Sequence, residues 1–145
     1  MKKSLKKYIA LVTMVAILAA FPIQPSFSAV KFSDVPSDAW YLQALETITQ
    51  DSRKILQGYT DGTYKPGKML DVCEFIKCII AARGFSVENG KTYWAENYIR
   101  KAMDYSYIRK DEFASTTSDP YAGYKRPITR GEMARMVVRV LLDTE

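Results

Sequence analysis

The 145-residue chain has no histidine, only two cysteines and seven glycines, and its longest largely apolar stretch, Tyr8 to Phe21, is fourteen residues. Each shortage excludes something. Without histidine the commonest general base, metal ligand and triad partner are gone. Two cysteines alone do not make a zinc site, and no glycine-rich phosphate loop is present. Sixteen acidic residues are available for a glycosidase-type pair, yet no pattern singles one out. The expectation is a non-enzyme with no catalytic residue, metal or cofactor.

Charge of one sign is also scarce once the first residues are set aside. Lys2, Lys3, Lys6 and Lys7 precede the Tyr8 to Phe21 stretch, and Ser26-Phe27-Ser28 is a small-x-small cleavage pattern, so residues 1–28 read as an export signal. Fourteen residues make a helix of about 21 Å, short of a hydrocarbon core of about 30 Å, which disfavours a permanent membrane anchor. No cysteine lies at the cleavage site to carry a lipid. Removing this segment lowers the formal charge from +5 to +1. The remaining chain interleaves both signs, which argues against a nucleic-acid partner. About 117 residues are left, enough for one modest core.

Within that remainder one device is written twice. Leu70-Asp71-Val72-Cys73-Glu74-Phe75 and Ile128-Thr129-Arg130-Gly131-Glu132-Met133 lie fifty-eight residues apart. Asp71 and Thr129 are N-cap candidates, with Glu74 and Glu132 three residues on to reach back as capping boxes. Leu70 with Phe75, and Ile128 with Met133, can form hydrophobic staples. A tryptophan precedes each box: Trp40 after Ser37 or Asp38, and Trp94 after Thr92. Two matched contexts indicate an internal duplication, with copies at 29–88 and 89–145.

Each copy reads as helix, loop, capped helix. The spacing predicts helices at about 38–51, 72–83 and 93–108, and a last helix after Thr129 whose Met133, Met136, Val137, Val140 and Leu141 form an apolar stripe. Asp61-Gly62 within Gly58–Gly67 predicts a small hairpin-like loop. Gly84 suits the left-handed position ending the second helix, and the polar stretch around Ser115–Ser118 is expected to be the least ordered. Cys73 and Cys78 fall roughly 140° apart around one helix, too far to bridge. They are expected to be reduced and, with their repeat counterparts Gly131 and Met136, to face the core. The fold expected is mainly α, two helix-loop-helix repeats sharing one core.

Arg130 is the sharpest binding candidate. The residue after an N-cap projects from a helix end carrying roughly half a positive charge, where anions are favoured. Its guanidinium can grip a carboxylate through two parallel hydrogen bonds, with Thr129 beside it; the alternative is a solvated arginine on an exposed turn. Trp40 and Trp94 read first as core residues and second as faces for sugar rings. Tyr59, Asp61 and Tyr64 can line a groove wall, although Asp61 is first a turn residue. Asp34 reads as structural, and Glu74 and Glu132 as capping groups.

The order Phe32-x-Asp34-Val35, Trp40, Gly58-Tyr59-x-Asp61-Gly62-x-Tyr64-x-Pro66 and a capped helix resembles the S-layer homology family, as do Trp94-Ala95-x-x-Tyr98-Ile99 and Ile128 to Met133 in the second copy. The resemblance implies a secreted module of Gram-positive-type cell walls that attaches noncovalently to pyruvylated secondary wall polysaccharide. It also implies a pseudo-threefold prism of three motifs with ligand grooves between neighbours. This chain shows two copies, with Val72 where the family's arginine would fall and only Gly123-Tyr124 of the second copy's loop. A homo-oligomer, or another S-layer homology protein, supplying the missing unit is the alternative expectation.

Overall fold

Both capping boxes form, and they set the register of everything around them. The computed structural model describes residues 32–113 and 115–143; the export-signal reading at 1–28 lies outside them. The α-helices are α1 (Leu42–Gln50), α2 (Val72–Ala82), α3 (Glu96–Asp104) and α4 (Arg130–Leu142), with a 3-10 turn at Ala122–Tyr124, and there is no strand among the described residues. Mainly α is therefore correct. At α2, Asp71 is extended and the Glu74 carboxylate accepts from its amide at 2.9 Å. At α4, the Thr129 hydroxyl accepts from the Glu132 amide at 3.3 Å while Glu132 accepts from the Thr129 amide at 2.8 Å.

The helix ends match as well. Gly84 takes φ +82° after α2, with the Phe85 amide donating to the Ile80 carbonyl at 3.2 Å. Ser106 takes φ +58° after α3, with Tyr107 donating to Ala102 at 2.8 Å. Both are six-to-one closures that stop a helix and reverse the chain. That reversal shortens α3 from its expected end near 108, because Tyr107 and Ile108 are buried and must turn inward.

α2 is the central helix, packing on α3, on α4 and on the 3-10 turn. One continuous core runs from Val72, Ile76 and Ile80 through Ile99 and Ala102 to Phe113, Tyr124 and Met136, so it joins α2 to the segments that follow it. The segments ahead of the boxes pair directly. Val72 donates to the Arg126 carbonyl at 3.0 Å and Ile128 to that of Leu70 at 2.9 Å, an antiparallel bridge at Asp71 and Pro127 that sets the starts of α2 and α4 side by side.

Several expectations need correction. α1 begins at Leu42 rather than near 38, because Pro36–Tyr41 closes successive turns, Ala39 to Pro36 and Leu42 to Ala39, instead of entering a capped helix. Trp40 is thereby left outside the core, 93% exposed, with Tyr41 edge-on against it. Gly131 is exposed although its counterpart Cys73 is buried, since α4 covers only one side of α2. The α4 stripe is covered mainly at Met136; Val137 remains exposed. The stretch at 115–121 is a hydrogen-bonded turn, with Ser115 donating to the Pro120 carbonyl and the Asp119 amide to the Thr116 hydroxyl. Both cysteines are free, as expected.

Polar contacts complete the docking of α4. Glu112, whose side chain is 7% exposed, takes Arg139 and, at 3.3 Å, Arg135. Arg139 also donates to the Tyr107 carbonyl at 3.1 Å. At the far end the Tyr107 hydroxyl donates to Asp143 at 2.6 Å and accepts from Arg83 at 3.0 Å.

Candidate functional site

The loop after α1 is built to hold its aromatics in place. Gly58 has φ +70°, and a Cβ there would lie 2.2 Å from the Phe32 ring, so both backbone and space demand glycine. The Tyr59 amide donates to the Thr63 carbonyl at 2.8 Å and the Gly62 amide to that of Tyr59 at 3.0 Å, closing the expected tight turn without strands. Asp61 accepts from the Thr63 amide at 3.1 Å and from its hydroxyl, and pairs with Lys65 at 3.1 Å. Its carboxyl is held down to about 2, first by the Thr63 hydroxyl and then by Lys65. Asp34 accepts from the Tyr64 and Lys65 amides at 2.8 and 2.7 Å, fastening the 32–36 segment to this loop.

Between this loop and α2 lies an open cleft of about 620 Å³. Tyr59, Tyr64, Phe75 and Trp94 supply aromatic walls; Lys65, Lys68 and Lys77 are the lining cations and Glu74 the acid. Trp94 is half-buried against Tyr98 and Tyr93, so a tryptophan from just ahead of α3 closes a cleft otherwise lined by residues between Ile48 and Cys78. Lys65 sits 4.2 Å and Lys68 5.5 Å from the Tyr59 ring centre, and the Tyr59 hydroxyl donates to Glu74 at 3.4 Å. Burial alone would raise Glu74, but the Asp71 amide and Lys68 outweigh it and hold the carboxyl below its ordinary range. Cys78 also lines the cleft; burial pushes its thiol up to about 11, which leaves it a weak nucleophile.

The structure thus brings Tyr59, Tyr64 and Trp94 together. Asp61 lies in the loop outside the cleft lining, Trp40 stands apart in its turn, and Thr129 and Arg130 do not line the cleft. Arg130 is the first residue of α4 and exposed; its side chain makes no hydrogen bond or ion pair among the described residues. Its counterpart Val72 is 0% exposed, because the start of α2 is covered by the second copy through the Arg126 carbonyl contact.

Reading the boxes alone misses a second repeated pair. Lys68 contacts Glu74 at 2.7 Å, and Arg126 contacts Glu132 with one nitrogen at 3.0 Å. Each cation stands six residues ahead of its glutamate, and that recurring interval is the signal in the sequence. Arg126, above all, holds Glu132 down to about 2. Lys77, a half-buried cation lining the cleft, has Arg135 fifty-eight residues on as its counterpart, which pairs instead with Glu112 at 3.3 Å.

The described residues hold no cluster of metal-ligating side chains and no helix long and apolar enough to cross a membrane. What they define is a small helical module with an aromatic, lysine-bearing cleft and an outward arginine at a helix start, an arrangement suited to holding a ligand. The family model of the S-layer homology domain matches residues 31–71, ending on the cap of α2. One S-layer homology motif is therefore recognised, and the expected second copy is not matched. S-layer homology domains are in general cell-wall anchoring modules, a binding rather than a catalytic family. No curated protein and no solved structure matches the chain.

Proposed function

We propose that this protein is an exported module that attaches noncovalently to anionic, pyruvylated secondary polysaccharide at the surface of a Gram-positive-type cell wall. The observation that carries the reading is Arg130, outward at the first turn of α4 and engaged with no carboxylate among the described residues. A guanidinium beside free helix amides fits a sugar-borne carboxylate, and Thr129 holds that turn open through its capping box. Tyr59, Tyr64 and Trp94 offer ring faces in the cleft, the exposed Trp40 offers another, and Asp61 shapes the loop that presents Tyr59. Co-sedimentation with purified wall sacculi tests this. Arg130→Ala should reduce pelleting about tenfold, the worth of a charge-assisted pair; equal pelleting would remove Arg130 from the mechanism.

A second reading is favoured by Val137, Val138 and Leu142, which α4 leaves exposed on an otherwise folded chain. On this reading the module completes a three-motif assembly with a second copy or with another S-layer homology protein. Light scattering distinguishes the two, since a monomer across micromolar concentrations would count against self-assembly.

A further inference from the structure

We infer that α4 docks, through the face carrying Ala134, Val137 and Val138, on α1 of a second molecule of this protein, where Trp40 and Ala44 receive it. The inference rests on the self-assembly reading and deepens it. It commits that reading to a second identical chain and assigns a different surface to each partner.

The two capping boxes set α2 and α4 in register at fifty-eight residues, so the helices compare position by position. Along α2, Cys73, Ile76, Ile79 and Ile80 are buried. The equivalent positions of α4 are Gly131, Ala134, Val137 and Val138, and all four are exposed. Met136 anchors α4 instead, and its equivalent Cys78 lies outside that buried set, lining the cleft. The face that α2 packs into the core with α3 is therefore the face that α4 turns outward.

The absent partner has a counterpart in the same chain. α3, which packs on α2, buries Ala95, Tyr98, Ile99 and Ala102. In the register of Trp40 and Trp94, fifty-four residues apart, the equivalent positions of α1 are Tyr41, Ala44, Leu45 and Ile48. α1 packs on no other helix among the described residues. Leu45 is covered and Ile48 lines the cleft, but Ala44 is exposed, and Trp40 just ahead of the helix is 93% exposed. One chain thus holds an α2-type face without its helix and an α3-type helix without its face, and the two do not meet within it. A second chain brings them together.

Charge agrees with this pairing. Residues 32–50 contain Asp34, Asp38 and Glu46 and no lysine or arginine, whereas α4 contains three arginines and one glutamate. Opposite signs favour the encounter of α4 with α1 and disfavour that of α4 with α4.

Sedimentation equilibrium of the full chain across micromolar concentrations tests the contact. The wild type should form assemblies of two or more chains. Val138→Asp on α4 and Ala44→Asp on α1 fall at exposed positions, so each should keep its helical circular dichroism. Each should weaken association about a hundredfold, the effect of an unpaired charge pressed into an apolar contact. Mixing the two variants should restore a one-to-one pair, because the first still offers α1 and the second still offers α4. Lys110→Ala, exposed and on neither helix, should leave association unchanged. Association that survives both aspartates would overturn the inference, as would a mixture that stays monomeric. Loss with Val138→Asp but not with Ala44→Asp would also overturn it, since α4 would then pair with α4. Each of those results leaves self-assembly standing when the wild type associates, whereas a monomeric wild type removes the self-assembly reading and the inference together.

Discussion

α2 and α4 begin with the same capping box and end in opposite circumstances. α2 buries Val72, Cys73, Ile76, Ile79, Ile80 and Ala81, whereas α4 buries only Met136. The cap is a bargain between a side chain and its nearest amides, so it is indifferent to what lies outside the helix. Burial depends on neighbours. α2 packs on α3, α4 and the 3-10 turn and meets Tyr59 of the preceding loop at Glu74, while α4 relies on Met136, on the partly buried Val140 and on Glu112, Arg135, Arg139 and Asp143. The same sequence device thus yields a core helix once and an ion-paired outer helix once, and only the outer one exposes the residue after its cap.

The widest gap between the two helices should appear in truncations. Ile76→Ala in α2 should cost about 3 to 4 kcal/mol, the range for emptying a filled core site. Val138→Ala on the outside of α4 should change stability by less than about 0.5 kcal/mol. Urea unfolding of both variants checks the contrast, and similar costs would mean that α4 is as buried as α2. Next in size is Glu112→Gln, which leaves Arg139 and Arg135 without their acid and should cost about 3 kcal/mol. Hydrogen exchange should then quicken across α4 before α2; uniform quickening would contradict a separable ionic dock.

A smaller effect, about 1 kcal/mol, is expected for Thr129→Ala, with loss of protection confined to the first turn of α4. The smallest concerns acid. Glu132 and Asp61 are held down to about 2, and Glu74 and Glu112 lie below their ordinary range. A depressed native value means that the unfolded chain binds more protons. Their stabilisation is therefore present above about pH 4.5 and lost as pH falls toward 2. A Glu132→Gln variant should show a shallower decline over that window in circular-dichroism melts, and an unchanged slope would remove the Arg126 pair from the account.

Local chemistry accounts for what was legible beforehand. The capping boxes, the Gly84 stop, the Asp61-Gly62 turn and the unbridged cysteines all follow from interactions within a few residues, and all are found. An aromatic ahead of an amphipathic pattern usually packs inward, which is why Trp40 reads as core, but the turns after Pro36 carry it outward. The cleft was half legible: Tyr59, Tyr64 and Trp94 were marked by motif, but Lys77 was not, since a lysine on a helix is ordinarily a solvated residue.

By itself, then, the sequence determined where helices start and stop, which side chains lock those starts, and which chemistry the chain lacks, because each of these is settled by contacts a few residues long. Tertiary structure alone decided that Val72 would be sealed while Arg130 faces outward, that Trp94 would wall a cleft lined otherwise by residues well ahead of it, and that α4 would be held by Glu112. The first of these outcomes rests on the antiparallel bridge between Asp71 and Pro127, which brings residues more than fifty positions apart into contact and which no local pattern encodes.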